Sequence, residues 1–249
     1  MEGVELAARF GSITNNLKYC GPSDFQTKFA KYLGEKNEPN RQALEGAVSG
    51  FEAQYPYLKL IADSNHLRPF DYTVAEAFWL GNELLENVSR DRIAQTIMQG
   101  LTGLGKMHIE RAEKLAKNLP ERIVPHHSFH VYYIKFITGR VKWTPGNADK
   151  CRVPFGKIVE LERTGDAATA LYSPIVVENG KFVFGKKIDA TIGLKVGKIR
   201  LPEDVSVGDW VAFHWDAAVW KLADRERANL EKNTKRNLDA INNGCIAAP

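Results

Sequence analysis

The period of the apolar side chains changes near residue 120, and that change limits the folds open to the chain. Before it, apolar residues recur every three or four positions, the spacing of one helix face. Ser23 with Gln26 forms a capping box ahead of Phe25, Phe29 and Leu33. Thr73 with Glu76 makes a second, opening a stretch with Val74, Phe78, Leu85 and Val88 on one face. Between them, over 41–64, Ala43, Ala47, Phe51 and Tyr55 keep helical spacing up to a break at Pro56. A further helix is predicted from Arg90 to Asn118, loosened by Gly100, Gly103 and Gly105. Pro120 and Pro125 then punctuate the chain.

From 126 to 220 the pattern is short runs rich in β-branched and aromatic residues, among them HVYYIKFI, KIVELER, ALYSPIVV, KFVFG, KIRL and DWVAFHW. Turns at Thr164-Gly165-Asp166, Glu178-Asn179-Gly180 and Val207-Gly208-Asp209 separate them. Such spacing predicts a small barrel or sandwich. Asp216 to Asn243 lacks glycine and proline and is predicted as a terminal helix packing through Ala217, Trp220, Ala223, Ala228 and Leu238, with a stop at Asn242-Asn243-Gly244. The expected fold is therefore α+β. A helical domain covers 1–122, a junction with a first strand 123–149, a β-domain with its helix 150–243, and a tail 244–249.

Composition narrows the function classes. With 249 residues, 44% of them hydrophobic, the chain can bury a sizeable core. No apolar run reaches the length of a membrane helix, and MEGVELAARFG lacks the order of a signal peptide, so the expected compartment is the cytoplasm. A net charge of +4 is too mild to argue for nucleic acid. Cys20, Cys151 and Cys245 are too few for a disulfide scaffold, which leaves free thiols or metal ligands.

Two places carry chemistry. Cys151 is read as opening a strand, with Pro154 and Gly156 interrupting regular pairing near the thiol. In Trp210–Trp215 strand alternation puts Val211, Phe213 and Trp215 on one face and Trp210, Ala212 and His214 on the other, so His214 need not point into the main core. A thiolate and an imidazole make half of a tetrahedral metal set. The second place is the cluster His126, His127 and His130. With Phe129–Phe136 read as a strand, His130 shares a face with Tyr132, Ile134 and Phe136, and His127 points the other way from His126. Joined by Cys20, these groups could form a metal site or a general-base array. The bland alternative is a junction where the imidazoles satisfy backbone groups and pack on Tyr132 and Tyr133.

From Lys150 to about Asp239 the chain resembles the small hydrogenase-maturation chaperones of the HypC/HupF class. The residues that carry this are Cys151-x-x-Pro154-Phe155-Gly156-Lys157-Ile158, then Val207-Gly208-Asp209-Trp210-Val211 with His214, then Ala217-Ala218-Val219-Trp220-Lys221-Leu222. In that class the cysteine stands beside the initiator methionine; here it is residue 151. The resemblance implies an OB-like barrel with a terminal helix. It also implies an iron centre with cyanide and carbonyl ligands, carried with a scaffold protein to the hydrogenase large subunit, and assigns its binding to Cys151 and His214. Arg152 and Lys157 are candidates to lower the thiol's pKa. The helical half is similar to an uncharacterised prokaryotic family through Tyr19-Cys20-Gly21-Pro22, Tyr55-Pro56-Tyr57-Leu58, Glu76–Asn82 and Pro125–Val131.

Three functions are weighed. The first is an assembly protein for the [NiFe]-hydrogenase iron centre. The second is an enzyme, metal-dependent or cofactor-free, using His126, His127, His130 and Cys20. The third is an OB-like module gripping nucleic acid or protein through Lys181, Lys186, Lys187, Lys195, Lys198 and Arg200. Asp71, Glu76 and Glu83 read as capping and surface residues, Arg225–Arg236 as a solvated helix face, and Trp215 and Trp220 as core.

Overall fold

The computed structural model describes residues 1–102, 107–197 and 199–244. Gly103, Gly105, Lys198 and Cys245 lie outside them. The first half is helical, as its periodicity predicts: α1 (Gly3–Asn16), α2 (Phe25–Gly34), α3 (Glu38–Val48), α4 (Tyr55–Asn65) and α5 (Tyr72–Trp79). A 3-10 turn (Glu83–Asn87), α6 (Arg90–Gln95), a π-turn segment (Thr96–Leu101) and α7 (Ile109–Lys117) follow. Asn37 and Ser89 cap α3 and α6 by accepting from Asn40 N–H and Arg92 N–H. The box expected at Ser23 does not form; α2 starts after Asp24, and Gln26 donates to Ser12 O of α1 at 2.7 Å. Pro56 lies in the first turn of α4, where its missing N–H costs nothing, so it opens a helix instead of ending one.

The first predicted strand is not a strand. His127–Phe129 is one helical turn, α8, continued by a π-turn segment His130–Ile134. The β-branched and aromatic run Val131–Ile134 is wholly buried, and tertiary packing overrides its strand propensity. Nor does Cys151 open a strand: it closes α9 (Pro145–Cys151), which Thr144 caps by accepting from Asn147 N–H.

The strands are β1 (Phe155–Leu161), β2 (Ala167–Tyr172), β3 (Ile175–Glu178), β4 (Lys181–Phe184), β5 (Ile188–Gly193), β6 (Lys195–Val196), β7 (Ile199–Arg200), β8 (Trp210–His214) and β9 (Ala217–Lys221); α10 (Asp224–Asn243) ends the fold. Five of them form a mostly antiparallel sheet in the order β1-β2-β5-β9-β8, and β1 also pairs with β8. The parallel β5–β9 seam rests on one pair, Gly193 with Ala217. The terminal helix begins later than its composition predicts, because Trp215 and Asp216 both take positive φ (49° and 59°) and turn the chain into β9.

The alternation expected in β8 holds from Val211 to His214 only: Trp215, expected beside Val211 and Phe213, turns away with positive φ and packs against the large core, and His214 does point into the main core. Val211 and Phe213 join Ile158, Ala168, Ala170, Ile192, Leu194 and Ala218 in a small cluster inside the sheet. Ala212 and His214 face the other way, toward a large core that runs without a break from α1 through α8 to α10. Helix α10 is pinned to that core, and its cations are not simply solvated. Arg225 donates to Glu76 at 2.9 Å, Arg236 to Glu86 at 2.6 Å, and Arg227 stacks over Trp210. Glu76 is therefore a buried bridge between α5 and α10 and not a surface residue; it also accepts from Asn82 at 2.7 Å.

Candidate functional site

Backbone pairing brings the cysteine and the histidine together. Phe213 N–H donates to Pro154 O at 2.9 Å and Trp215 N–H to Lys150 O at 2.8 Å, so the end of β8 lies along the α9–β1 link. His127 arrives from α8. The thiol of Cys151 and one ring nitrogen each from His127 and His214 lie within 4.8 Å of one another, and all three residues are buried. The two predicted sites are thus one site, and His127, placed in the cluster by its sequence neighbours, completes the Cys151/His214 pair.

Hydrogen bonds fix the tautomers. His214 Nδ1 lies 3.0 Å from the Phe10 carbonyl and must donate to it, which leaves Nε2 a bare acceptor with no partner. His127 Nε2 lies 2.9 Å from the Cys151 carbonyl and donates to it, which leaves Nδ1 bare. The same Nε2 is 3.8 Å from the Cys151 sulfur. Ring nitrogens held this way by backbone carbonyls are the usual outer support of a metal-ligating imidazole.

These groups line a cavity of about 50 Å³ shared with Cys20, His130, Gln54, Trp79 and Trp215. Its walls are mostly apolar, yet among the described residues several that line it carry buried polar atoms without partners: both amide atoms of Gln54, the Trp79 indole nitrogen, His127 Nδ1 and His214 Nε2. Buried polar groups are rarely left unpaired, and a concentration at one cavity points to a guest. Trp79 packs on both rings, 4.4 Å from His127 and 5.6 Å from His214 between centroids. Two non-glycine residues beside the site take positive φ, the β-branched Val153 (67°) and Trp215 (49°), a backbone cost that clusters at functional sites.

Burial sets the charge states. It lowers His214 to about 4 and His130 to about 3, and drives His127 well below its usual value with help from the neighbouring His214 and His130. All are neutral near pH 7, the form that ligates metal. Burial pushes the Cys151 thiol up, and the Trp215 indole beside it offsets part of that. Arg152 does not activate the thiol as expected: its guanidinium pairs with Asp149 at 2.8 Å and donates to Ser173 O. Lys157 lies on β1, exposed, and does not act on the thiol either.

The remaining candidates divide. His130 lines the cavity and shares a 2.9 Å hydrogen bond with Tyr57. Cys20 also lines it. His126 does not. Asn237 donates to Ser128, whose hydroxyl donates to His126 Nδ1 at 2.9 Å, and burial holds His126 at about 3, so this ring serves the α8 turn. Of the cations proposed for nucleic acid, Lys195 pairs with Asp166 and Arg200 donates to Gly165 O. The contributions of Gln54, Trp79 and Trp215 are not visible in the residue pattern, because they follow from which helices meet and not from spacing.

The chain belongs to a family of unknown function, DUF6390, whose profile matches residues 1–248 and so runs through both halves. No curated protein and no solved structure matches it.

Proposed function

We propose that this member of the family is a metal-carrying accessory protein, in which Cys151, His214 and His127 hold a soft transition-metal ion as cargo. The observation that carries this is the convergence of one thiol and two neutral imidazoles on one small cavity, with His214 Nε2 unpartnered. One sulfur and two nitrogens suit iron or zinc. A spread of up to 4.8 Å is wider than the roughly 3.5 Å between donors in a closed tetrahedral site. An open, three-donor set suits an ion that must be handed on.

The specific cargo we propose is the iron centre of [NiFe]-hydrogenase with its cyanide and carbonyl ligands, passed between a maturation scaffold protein and the large subunit. Its support is the residue match from Cys151 to Leu222, together with the sheet. Its five strands, taken in chain order, run 1-2-3-5-4 and back to 1, with the 3–5 contact parallel. That cyclic order supports an OB-like barrel. The test is metal analysis and infrared spectroscopy on protein co-expressed with the maturation machinery. Cyanide and carbonyl bands are expected in the wild type and not in Cys151→Ala. Their absence from the wild type, with a known carrier positive in parallel, would sink the hydrogenase reading, and absence of any bound metal would sink the carrier reading as well.

The enzyme reading needs His126, His127, His130 and Cys20 together, and His126 stands apart from the cavity. His127, His130 and Cys20 share the cavity of Cys151, whose about 50 Å³ admits only a few atoms.

A further inference from the structure

A divalent ion on the three converging donors is left short of both charge and ligands. Cys151 supplies one thiolate and the two histidines are neutral, so one positive charge stays uncompensated. Among the described residues no Asp or Glu lines the cavity. Glu52 stands outside the lining, bonded to the Cys20 thiol at 3.6 Å, and Arg140 faces it at 3.7 Å. Cys20 lines the cavity but is not one of the converging donors. A lone charge buried among apolar walls is costly, and buried charges are paired. A tetrahedral ion with three protein ligands also keeps one position open. A single anion meets both needs.

The same wall holds an idle amide. Gln54 precedes α4, and its backbone is fixed: its N–H donates to Phe51 O at 3.3 Å, and its carbonyl accepts from Tyr57 N–H at 3.0 Å and Leu58 N–H at 3.2 Å. The residue is 2% exposed and lines the cavity, and neither atom of its amide has a partner among the described residues. Other polar side chains of the wall are occupied. Thr14 donates to Gly11 O at 3.1 Å, Thr138 to Tyr19 O at 2.9 Å, and His130 shares its bond with Tyr57. Gly11, also in the lining, leaves the amide its room: a Cβ there would stand 3.2 Å from Gln54 Oε1. A buried amide carries two N–H donors, and leaving them unpaired beside a metal-ligand set points to an acceptor that arrives with the ion.

We propose that the fourth position of the bound ion takes a small linear monoanion of the azide or cyanate kind, bonded to the metal at one end and accepting a hydrogen bond from Gln54 Nε2 at the other; this rests on the carrier reading, through its three donors and not through the cargo named above. Size agrees. The cavity's about 50 Å³ exceeds the roughly 10–15 Å³ that one water needs and admits two or three atoms. The way in from solvent passes the half-buried rings of Tyr19, Phe136 and Trp215, which line it too. The charges balance. A divalent ion enters, the Cys151 proton leaves to solvent as the sulfur–metal bond forms, and the anion replaces water on the ion. No electron changes hands, and the filled site is neutral.

The test loads the full-length reduced protein anaerobically with Co²⁺ in halide-free buffer and titrates it with azide, read by the cobalt absorption. The wild type is expected to bind one azide per cobalt and to keep its thiolate-to-cobalt band. Gln54→Leu and Gln54→Glu, the second placing a carboxylate where the anion would lie, are each expected to weaken azide by about tenfold or more with the thiolate band still present. No response to azide in the cobalt-loaded wild type, or wild-type azide affinity in either variant, would overturn the proposal and leave the carrier reading standing. Loss of the thiolate band in Gln54→Leu, with unchanged circular dichroism, would also overturn it, making the amide a metal ligand. So would a two-thiolate band in the wild type that Cys20→Ser halves, which would put Cys20 in the fourth position. If the wild type gives no band, the carrier reading itself falls, and this proposal with it.

Discussion

Neutral imidazoles in an apolar interior are a debt that acid collects. His126, His130 and His214 are fully enclosed, and burial lowers them to about 3, 3 and 4. A ring whose folded pKa lies below its unfolded value near 6.5 takes up its proton more readily in the unfolded chain. Stability from these rings is therefore complete above about pH 6.5 and is lost as pH falls toward 4. For His214 alone the loss over that window is on the order of 3 kcal/mol. The metal-free protein should melt at a clearly lower temperature at pH 5 than at pH 7, and His214→Gln should flatten that slope. A melting temperature constant from pH 7 to pH 5 would contradict the burial of these rings.

At the scale of elements, the site depends on a junction far from the metal ligands in sequence. Asn237 on α10 accepts from Val124 N–H at 2.9 Å and donates to Val124 O and to Ser128 Oγ. It is fully buried and fixes the start of α8, hence the placement of His127. Asn237→Ala leaves the Val124 N–H buried without a partner, while the Val124 carbonyl keeps the His126 N–H at 2.8 Å, a cost of about 1–3 kcal/mol. Urea denaturation should show that loss, and a change under about 0.5 kcal/mol would mean α8 is held by other contacts. The helices themselves are largely legible from spacing. Their ends are less so: Glu76, read as a surface charge, is buried where α5 and α10 meet and pairs there with the exposed Arg225. The π-turn at His130–Ile134 is not legible for a similar reason. Its residues favour a strand, but they are packed on every side by helices that no local pattern reveals.

At the scale of the whole molecule, the helical and β halves share one apolar core. His127 and Cys151, on opposite sides of the boundary expected near residue 150, contact each other. The chain should therefore unfold in a single calorimetric transition. The fragment 150–243 should bind Co²⁺ more weakly than the whole chain, since it lacks one of three donors and the wall built by Trp79. Two separate transitions, or full affinity in the fragment, would show that the halves are independent.

The helical first half, the strand-rich second half, and Cys151 and His214 as a thiol and an imidazole able to ligate metal follow from the sequence, whereas α8, α9 and β9 run against its local pattern. Periodicity and residue chemistry are local properties, and they survive whatever the rest of the chain does. The meeting of His127 with Cys151 and His214, the exclusion of His126, and the place of Cys20 on the same cavity were decided only by tertiary structure. They depend on packing distances between segments more than twenty residues apart, and no spacing along the chain encodes those distances.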